Sequence, residues 1–258
     1  MQATLWFNSF WPILLAMPFL GLFVAAVTKR TDPVIRKGKV LRHDGPARLS
    51  HWCHALGTVF LLVSGIVLGT RYTPSFVADS GNTAVWLNTH FVFAALFLFG
   101  TFYWLGNTII SRYRFREHLP HKNAIKSTLN HYGSLLKIKG MKMPEEEKYF
   151  ESERIAFVAA LGGGTVMALT GIIKVIAHIA NMPGPFMNVV TWVHDIVALL
   201  MILFLLAHLI FGALLPMAWK AFPSMITGYL PLDVAKHEYP RWMDEIMSKD
   251  PANGKEQE

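Results

Sequence analysis

Five long apolar stretches constrain this sequence more than any other feature. They cover Leu5–Val27, His51–Thr70, Trp86–Ile110, Ile155–Ala177 and Val190–Pro216. A helix needs about 20 apolar residues to cross the hydrocarbon core of a bilayer, and each stretch reaches that length. Only 16% of the residues are charged, whereas about a quarter are charged in a soluble domain. The sequence therefore predicts an all-α integral membrane protein with five spans.

The first stretch is predicted to stay in the mature chain. A secretory signal carries basic residues before its apolar run, whereas Lys29 and Arg30 follow the run here. We expect residues 1–30 to form an extra N-terminal transmembrane helix. Residues 31–220 are then a helical bundle with a long inner loop at 111–154, and residues 221–258 are a cytoplasmic tail.

The basic residues indicate the orientation of the chain. Of the 24 Lys and Arg residues, 22 lie in segments 28–50 and 111–154 and after Pro216. The other two, Arg71 and Lys174, lie at the opposite ends of their spans. The positive-inside rule then predicts a multi-pass protein of the bacterial inner membrane, with its N-terminus in the periplasm and its C-terminus in the cytoplasm. This topology accounts for the net charge of +7 without a nucleic-acid partner.

Two histidines on the last span share one helix face at two depths. His194 and His208 are 14 residues apart, which leaves them about 40° short of four full turns. Their separation along the axis is roughly 21 Å in a core about 30 Å thick. Two stacked haems suit that spacing, if each takes a second ligand from another helix. The bland alternative is a buried histidine that hydrogen bonds to a backbone carbonyl.

Candidate second ligands lie at matching depths. His51 is at the inner start of the second span, with His208, and His90 is near the outer start of the third, with His194. Two further histidines compete with them, His54 for the inner pair and His178 for the outer pair. The lone Cys53 excludes the Cys-x-x-Cys-His attachment of a c-type haem.

Other residues near these depths have two interpretations each. Lys174 and Arg71 either bind propionates of an outer haem or snorkel to the interface. Small residues on the second, third and fourth spans either leave room for a porphyrin or allow close helix packing. These residues are Gly57, Ser64, Gly65, Gly69, Ala94, Ala95, Gly100, Gly162, Gly163, Gly164 and Gly171.

The order and spacing of these features resemble the gamma, cytochrome b subunit of membrane-bound formate dehydrogenases. The resemblance covers about residues 40–246 and extends to the di-haem b subunits of nickel–iron hydrogenases and thiosulfate-type reductases. It rests on Arg48-Leu49-Ser50-His51-Trp52, on Leu87-Asn88-Thr89-His90, on Val193-His194 with His208, and on Pro240-Arg241-Trp242.

The resemblance implies a four-helix bundle with two b haems, each held by two histidines. His90 and His194 would bind the outer haem, and His51 and His208 the inner one. An iron–sulfur (beta-type) subunit and a catalytic oxidoreductase subunit would be the outer partners, and menaquinone or ubiquinone would react near the inner haem. The chain itself would be a non-catalytic electron-transfer subunit, apart from the quinone site.

Two departures from the family pattern stand out. The span Leu5–Val27 is an addition to the four-helix bundle. The family's Lys-Tyr-Asn, followed by a Gly-Gln pair, reads Lys148-Tyr149-Phe150 here, with Glu153 in place of Gln. Because the resemblance puts this stretch near the inner haem, we take Tyr149, Glu153 and His208 as the quinone-site candidates. Glu153 also suits the start of a helix, where a carboxylate complements the helix dipole.

Three alternative functions stay open on the sequence alone. In the first, the chain is the cytochrome b subunit of a nickel–iron hydrogenase or a thiosulfate-type reductase. In the second, it relays or transports protons through its histidines without haem. In the third, it is only a structural anchor for a peripheral enzyme. Proton transport predicts acidic partners within the spans, and Asp195 is the one clear carboxylate inside a span. Asp195 is also a candidate for orienting His194. The catalytic partner and the direction of electron flow do not follow from this sequence.

Overall fold

The fold is known from a computed structural model that describes residues 4–69, 80–110, 114–177 and 179–249. Five of its helices are long and apolar enough to cross a membrane, which confirms the predicted fold class. They are α1 (Trp6–Val27), α2 (Gly45–Gly69), α3 (Ser80–Ile110), α6 (Glu151–Ile176) and α7 (Gly184–Leu209), which continues as a π-helical turn over Ile210–Leu214. Shorter helices complete the described chain: α4 (Arg114–Glu117), α5 (Ala124–Leu135), α8 (Pro223–Thr227), α9 (Leu232–Glu238) and α10 (Pro240–Lys249).

The chain divides into two compact units. The first comprises Met1–Thr28, Leu49–Ile110 and Leu161–Leu205, and the second comprises Lys29–Arg48, Ser111–Ala160 and Leu206–Glu258. The long helices α2, α6 and α7 each contribute to both units. The predicted domain boundaries at residues 30 and 220 stay a prediction.

Helix α1 packs along α3 in the first unit. The contact is close because a Cβ atom at Gly21 would lie 2.7 Å from the backbone oxygen of Phe99, and one at Gly106 would lie 2.6 Å from the Cβ atom of Ala25. At the start of α1, the backbone N–H of Trp6 donates to the side chain of Asn88 over 2.9 Å. Small residues therefore hold the added helix against the bundle, as is usual in lipid.

Close packing also explains two of the small residues on the second and third spans. A Cβ atom at Gly57 would lie 3.0 Å from that of Phe97, and one at Gly100 would lie 2.7 Å from that of Cys53. Both glycines sit where α2 and α3 touch. At these two positions the packing interpretation accounts for the glycine without a porphyrin.

The second unit contains a small antiparallel sheet in the order β1-β2-β3, which the sequence did not predict. Its strands are β1 (Ile35–Arg36), β2 (Lys39–Leu41) and β3 (Tyr229–Pro231). Lys37 and Gly38 connect β1 to β2 with φ values of 47° and 67°, the left-handed pair that a two-residue hairpin requires. Strands of two or three residues are too short for an alternating pattern to be recognised.

The core of the second unit joins this sheet to the C-terminal helices. Val40 and Leu230 from the sheet are fully buried, together with Tyr239, Met243 and Ala235 from the C-terminal segment. Trp242 of the Pro240-Arg241-Trp242 motif belongs to the same core. The segment predicted as a cytoplasmic tail is therefore folded as far as Lys249.

Candidate functional site

The predicted outer ligands lie together in the first unit. His90 on α3 is close enough to interact electrostatically with both His194 on α7 and Lys174 on α6. Lys174 is half-buried, and it has no ion-pair partner within the described part of the chain. Arg71 and His178, the other residues predicted near this depth, lie outside the described residues.

One hydroxyl group fixes the tautomer of His90. The Ser64 hydroxyl on α2 donates its proton to the carbonyl oxygen of Phe60 over 2.6 Å. Its oxygen is also 2.8 Å from Nδ1 of His90. A hydroxyl has one proton, so Ser64 accepts here and Nδ1 of His90 is the donor. The neutral ring then carries its lone pair on Nε2, the form in which imidazole binds a metal.

His194 has the same arrangement on the other pair of helices. The Thr170 hydroxyl on α6 donates to the carbonyl oxygen of Val166 over 2.7 Å. It accepts from Nδ1 of His194 over 2.7 Å. Nε2 of His194 therefore also carries the lone pair. Across the described residues, Nε2 of neither histidine has a hydrogen-bond partner.

A glycine follows each of these hydroxyl residues and lies beside the ring. A Cβ atom at Gly65 would be 3.9 Å from Cε1 of His90, and one at Gly171 would be 3.8 Å from Cε1 of His194. Each imidazole is thus bound at Nδ1 by one helix and has its Cε1 edge beside the glycine of that helix. The two sites repeat one local pattern, Ser64-Gly65 on α2 and Thr170-Gly171 on α6.

His54 differs from His90 and His194 at Nε2, the nitrogen that would bind iron. Its Nε2 atom is 2.9 Å from the hydroxyl of Thr101, which donates its own proton to the carbonyl oxygen of Phe97. Nε2 of His54 therefore already has a partner in the described chain, and the same ring also hydrogen bonds to the backbone of Ser50. His54 lies in the packed contact between α2 and α3, so its structural role there is already clear.

The two predicted inner ligands belong to different units. His51 lies on α2 in the first unit, where its ring is 5.4 Å from that of Trp52. His208 lies on α7 in the second unit, and a Cβ atom at Gly212 would be 3.9 Å from its Cε1 atom. His208 is also within electrostatic range of Glu153. Their pairing stays a prediction.

Glu153 combines a helix-start role with an ion pair. Its carboxylate accepts from the backbone N–H of Phe150 over 2.9 Å, as the third residue of α6 does in a capping box. It also accepts from Nη2 of Arg42 over 2.9 Å. Arg42 donates in addition to the carbonyl oxygen of Lys148 over 2.9 Å. The predicted helix-start role is thus present, and it leaves Glu153 beside a buried cation.

Tyr149 and Phe150 face different surroundings. Tyr149 lies between two cations, 5.6 Å from the guanidinium carbon of Arg42 and 5.3 Å from Nζ of Lys148. Phe150 stacks on Tyr239, with 4.9 Å between ring centroids. Phe150, where the family carries Asn, therefore fills an aromatic cluster and offers no polar group to a ligand.

Comparison with protein-family models decides the family. Residues 42–228 match the model of prokaryotic cytochrome b561. This chain belongs to the prokaryotic cytochrome b561 family. It is accordingly a multi-pass membrane b-type cytochrome that binds b-type haem and transfers electrons. The matched range includes α2, α3, α6 and α7 and leaves out α1, so the added helix lies outside the family's bundle. A search of curated proteins found no match.

The donor set of the first unit fits a b-type haem. Nδ1 of His90 and Nδ1 of His194 each contact a hydroxyl, which leaves Nε2 as the nitrogen available to iron, and the two histidines come from two different helices. The half-buried ammonium group of Lys174 near both rings suits a propionate. The sequence analysis noted Ser64 only as a small residue and did not single out Thr170. A hydroxyl that contacts a histidine on another helix has no fixed spacing from it in the sequence, so no pattern reveals the contact.

The sequence also missed two buried residues of this cytochrome. Arg42 had been counted only as a topology signal, and it is 4% exposed, with its guanidinium 4.4 Å from the ring of Tyr239. Burial lowers the pKa of Arg42, but the Glu153 carboxylate and the neighbouring tyrosines outweigh it, so the pKa rises and the charge is kept. Burial raises the pKa of Tyr239, and its hydroxyl has no hydrogen-bond partner in the described chain.

Asp195 does not orient the neighbouring ligand candidate. Nδ1 of His194 is taken by Thr170 on α6. Asp195 instead lines an open hollow of about 310 Å³ on α7, beside Trp192 and Leu199. The positioning role that the sequence offered to Asp195 belongs to Thr170.

Proposed function

We propose that this cytochrome is the membrane-anchoring di-haem subunit of a formate dehydrogenase-type respiratory complex. It transfers electrons between an iron–sulfur partner subunit on the outer side and the quinone pool. His90 and His194 hold the outer haem, and His51 and His208 hold the inner one. The observation that carries the proposal is the matched pair of free Nε2 atoms, each set by a hydroxyl from another helix.

The outer site is built to hold its ligands in one orientation. Ser64 and Thr170 accept from Nδ1, which fixes each ring and would raise the basicity of Nε2 toward a bound haem iron. Lys174 balances negative charge at the same depth. A b haem held there supplies one-electron transfer, and two histidine ligands leave no iron position for oxygen or substrate.

The inner quinone site is proposed around Glu153. Its carboxylate lies within electrostatic range of His208 and is bonded to Arg42. The guanidinium of Arg42 and the hydroxyl of Tyr149 are donors suited to a quinone carbonyl, and Glu153 is the group suited to carry a proton. Menaquinone and ubiquinone share this carbonyl chemistry, so both fit.

The partner assignment rests on the motif order in the sequence. A formate-oxidising subunit joined through an iron–sulfur subunit would sit on the periplasmic side of the bacterial inner membrane, where the N-terminus is placed by the positive-inside rule. Uptake of quinone protons on the opposite side would then add to the membrane potential.

Reduction of the haem by different donors tests the proposal in native membranes. Formate is expected to produce the reduced b-type α-band in membranes that contain the chain, and the tagged chain is expected to co-purify with a molybdenum or tungsten formate enzyme. Membranes with His194→Ala are the control and should show a smaller band. Reduction by hydrogen but not by formate would replace this assignment with a nickel–iron hydrogenase, and no reduction by either would refute it.

A further inference from the structure

Helix α5 exposes an apolar face that the second unit does not cover. Ile125 and Leu129 on α5, and Leu136 directly after its end, are 73%, 59% and 71% exposed. At 100° per residue these three positions lie within about 40° of one another around the helix. The opposite face of α5 is buried through Ala124 and His131. An apolar strip of this kind beside a buried face needs an explanation outside the described chain.

The same segment carries only positive charge. Between Glu117 and Glu145 the chain has no Asp or Glu. It has five lysines there, all exposed and without an ion-pair partner among the described residues: Lys122, Lys126, Lys137, Lys139 and Lys142. Some cations of the second unit are paired, as Lys148 is with Glu117 and Lys220 is with Glu238. The segment that exposes the apolar strip therefore combines five exposed lysines with a complete lack of acidic residues.

Chain connectivity keeps this segment near the bilayer. Helix α3 ends at Ile110 and α6 begins at Glu151, and both belong to candidate membrane spans. The apolar strip and the five lysines are thus in a juxtamembrane loop. Apolar residues beside lysines, on a helix that lies along the interface, are the pattern of a helix that binds anionic lipid.

We propose that the apolar strip (Ile125, Leu129 and Leu136) inserts into the headgroup region of the adjacent leaflet, where the five lysines bind anionic phospholipid headgroups. A lipid surface satisfies both observations at once, because acyl chains cover the strip while phosphates face the ammonium groups. This inference does not depend on the haem or quinone assignments.

Depth measurement tests the insertion of the strip. A nitroxide label at Leu129→Cys, in full-length chain carrying Cys53→Ala, is reconstituted into phosphatidylcholine nanodiscs that contain a quarter phosphatidylglycerol. The expected result is access to oxygen and protection from a water-soluble nickel reagent, while a label at Ser248→Cys on α10 shows the reverse. A Leu129 label as open to nickel as the Ser248 label would overturn the proposal and leave a protein partner as the occupant of the strip.

Charge substitution tests the headgroup contact. The double variant Lys126→Gln with Lys137→Gln is compared with Lys236→Gln with Lys249→Gln, which removes the same charge from α9 and α10. The phosphatidylglycerol retained by each purified protein is measured by mass spectrometry. We expect at least a twofold loss in the α5 and loop variant and no change in the control. If the two variants retain the same amount of phosphatidylglycerol, the proposed contact between these lysines and the headgroups is contradicted. This holds whether retention falls in both variants or in neither.

Discussion

Each candidate outer ligand depends on one hydroxyl from a neighbouring helix. That His90 and His194 lie near each other agrees with their predicted pairing, which followed from helical rise and from the charge of the loops. Ser64 and Thr170 were not predictable, since their role follows from contacts between helices. The same contacts separate His54 from the candidate ligands, because its Nε2 atom already has a hydrogen-bond partner in Thr101.

Removing either hydroxyl is expected to weaken the outer haem site. Ser64→Ala or Thr170→Ala deletes the acceptor for Nδ1, and loss of such an outer-shell partner typically lowers metal affinity about 10- to 100-fold. Haemin titration of the purified chain, followed by its optical spectrum, measures this affinity. Thr101→Ala removes the hydrogen-bond partner of His54 and should leave the haem affinity unchanged. An equal loss in all three variants would assign the hydroxyls to packing alone.

Tyr239 is expected to make stability depend on alkaline pH. Its folded pKa is raised by burial above the ordinary value near 10, so the folded state keeps the proton while the unfolded state loses it. The contribution of Tyr239 is complete below about pH 10 and is lost as the pH rises through the folded pKa. The melting temperature of Tyr239→Phe should therefore fall less between pH 9 and 11 than the melting temperature of the native chain.

The same variant tests the unpaired hydroxyl. Because the buried Tyr239 hydroxyl has no hydrogen-bond partner in the described chain, Tyr239→Phe should be neutral or stabilise the fold by about 1 kcal/mol at pH 8. A loss of several kcal/mol there would mean that the hydroxyl has a partner, and parallel pH curves would contradict the role given to its ionisation.

Among the secondary-structure elements, the long helices were predictable and the short ones were not. Apolar length identified α1 and the four helices of the bundle, although α2 begins at Gly45, before the predicted start at His51. The sheet depends on pairing between β2 and β3, which are far apart in sequence, so no local pattern reports it. Phe150 shows the same limit, because its partner Tyr239 comes from the C-terminal segment.

Gly21 is expected to control the docking of α1 on α3. In Gly21→Ala the new Cβ atom would meet backbone atoms of Phe99 and Tyr103 at 2.7 Å, and backbone cannot yield as a side-chain end can. Overpacking of this kind costs about 1–3 kcal/mol. Thermal unfolding in detergent measures the loss, and Gly162→Ala is the matched control because nothing lies within 4 Å of its Cβ position. Equal melting temperatures for the two variants would contradict the close contact.

For the chain as a whole, a membrane b-type cytochrome could be predicted, whereas the formate dehydrogenase gamma assignment stays a proposal. Membrane class and b-type haem follow from apolar length and histidine depth, and the match over residues 42–228 supports both. In the proposed complex the substrate would be oxidised in another subunit, whose chemistry would leave no trace in this sequence. The inner side is harder to predict than the outer one, because Glu153 serves α6 and Arg42 as well as any quinone.

Glu153→Gln is expected to separate quinone chemistry from haem reduction. Glutamine keeps an acceptor for the N–H of Phe150, but it has no charge and its side chain does not carry a proton to or from a quinone. Formate-driven haem reduction should stay normal while quinone turnover falls at least tenfold, measured in membranes with a soluble quinone. Glu145→Gln, at an exposed carboxylate, is the control. Normal quinone turnover in Glu153→Gln would move the site elsewhere.

The haem content of His194→Ala tests the central claim most directly. Pyridine haemochrome assay of the purified chain is expected to give two b haems per native chain and one per His194→Ala chain, with His237→Ala, at an exposed histidine, unchanged. The remaining haem should still be low-spin, as two histidine ligands require. Two haems retained in His194→Ala, or no b haem in the native chain, would contradict the account.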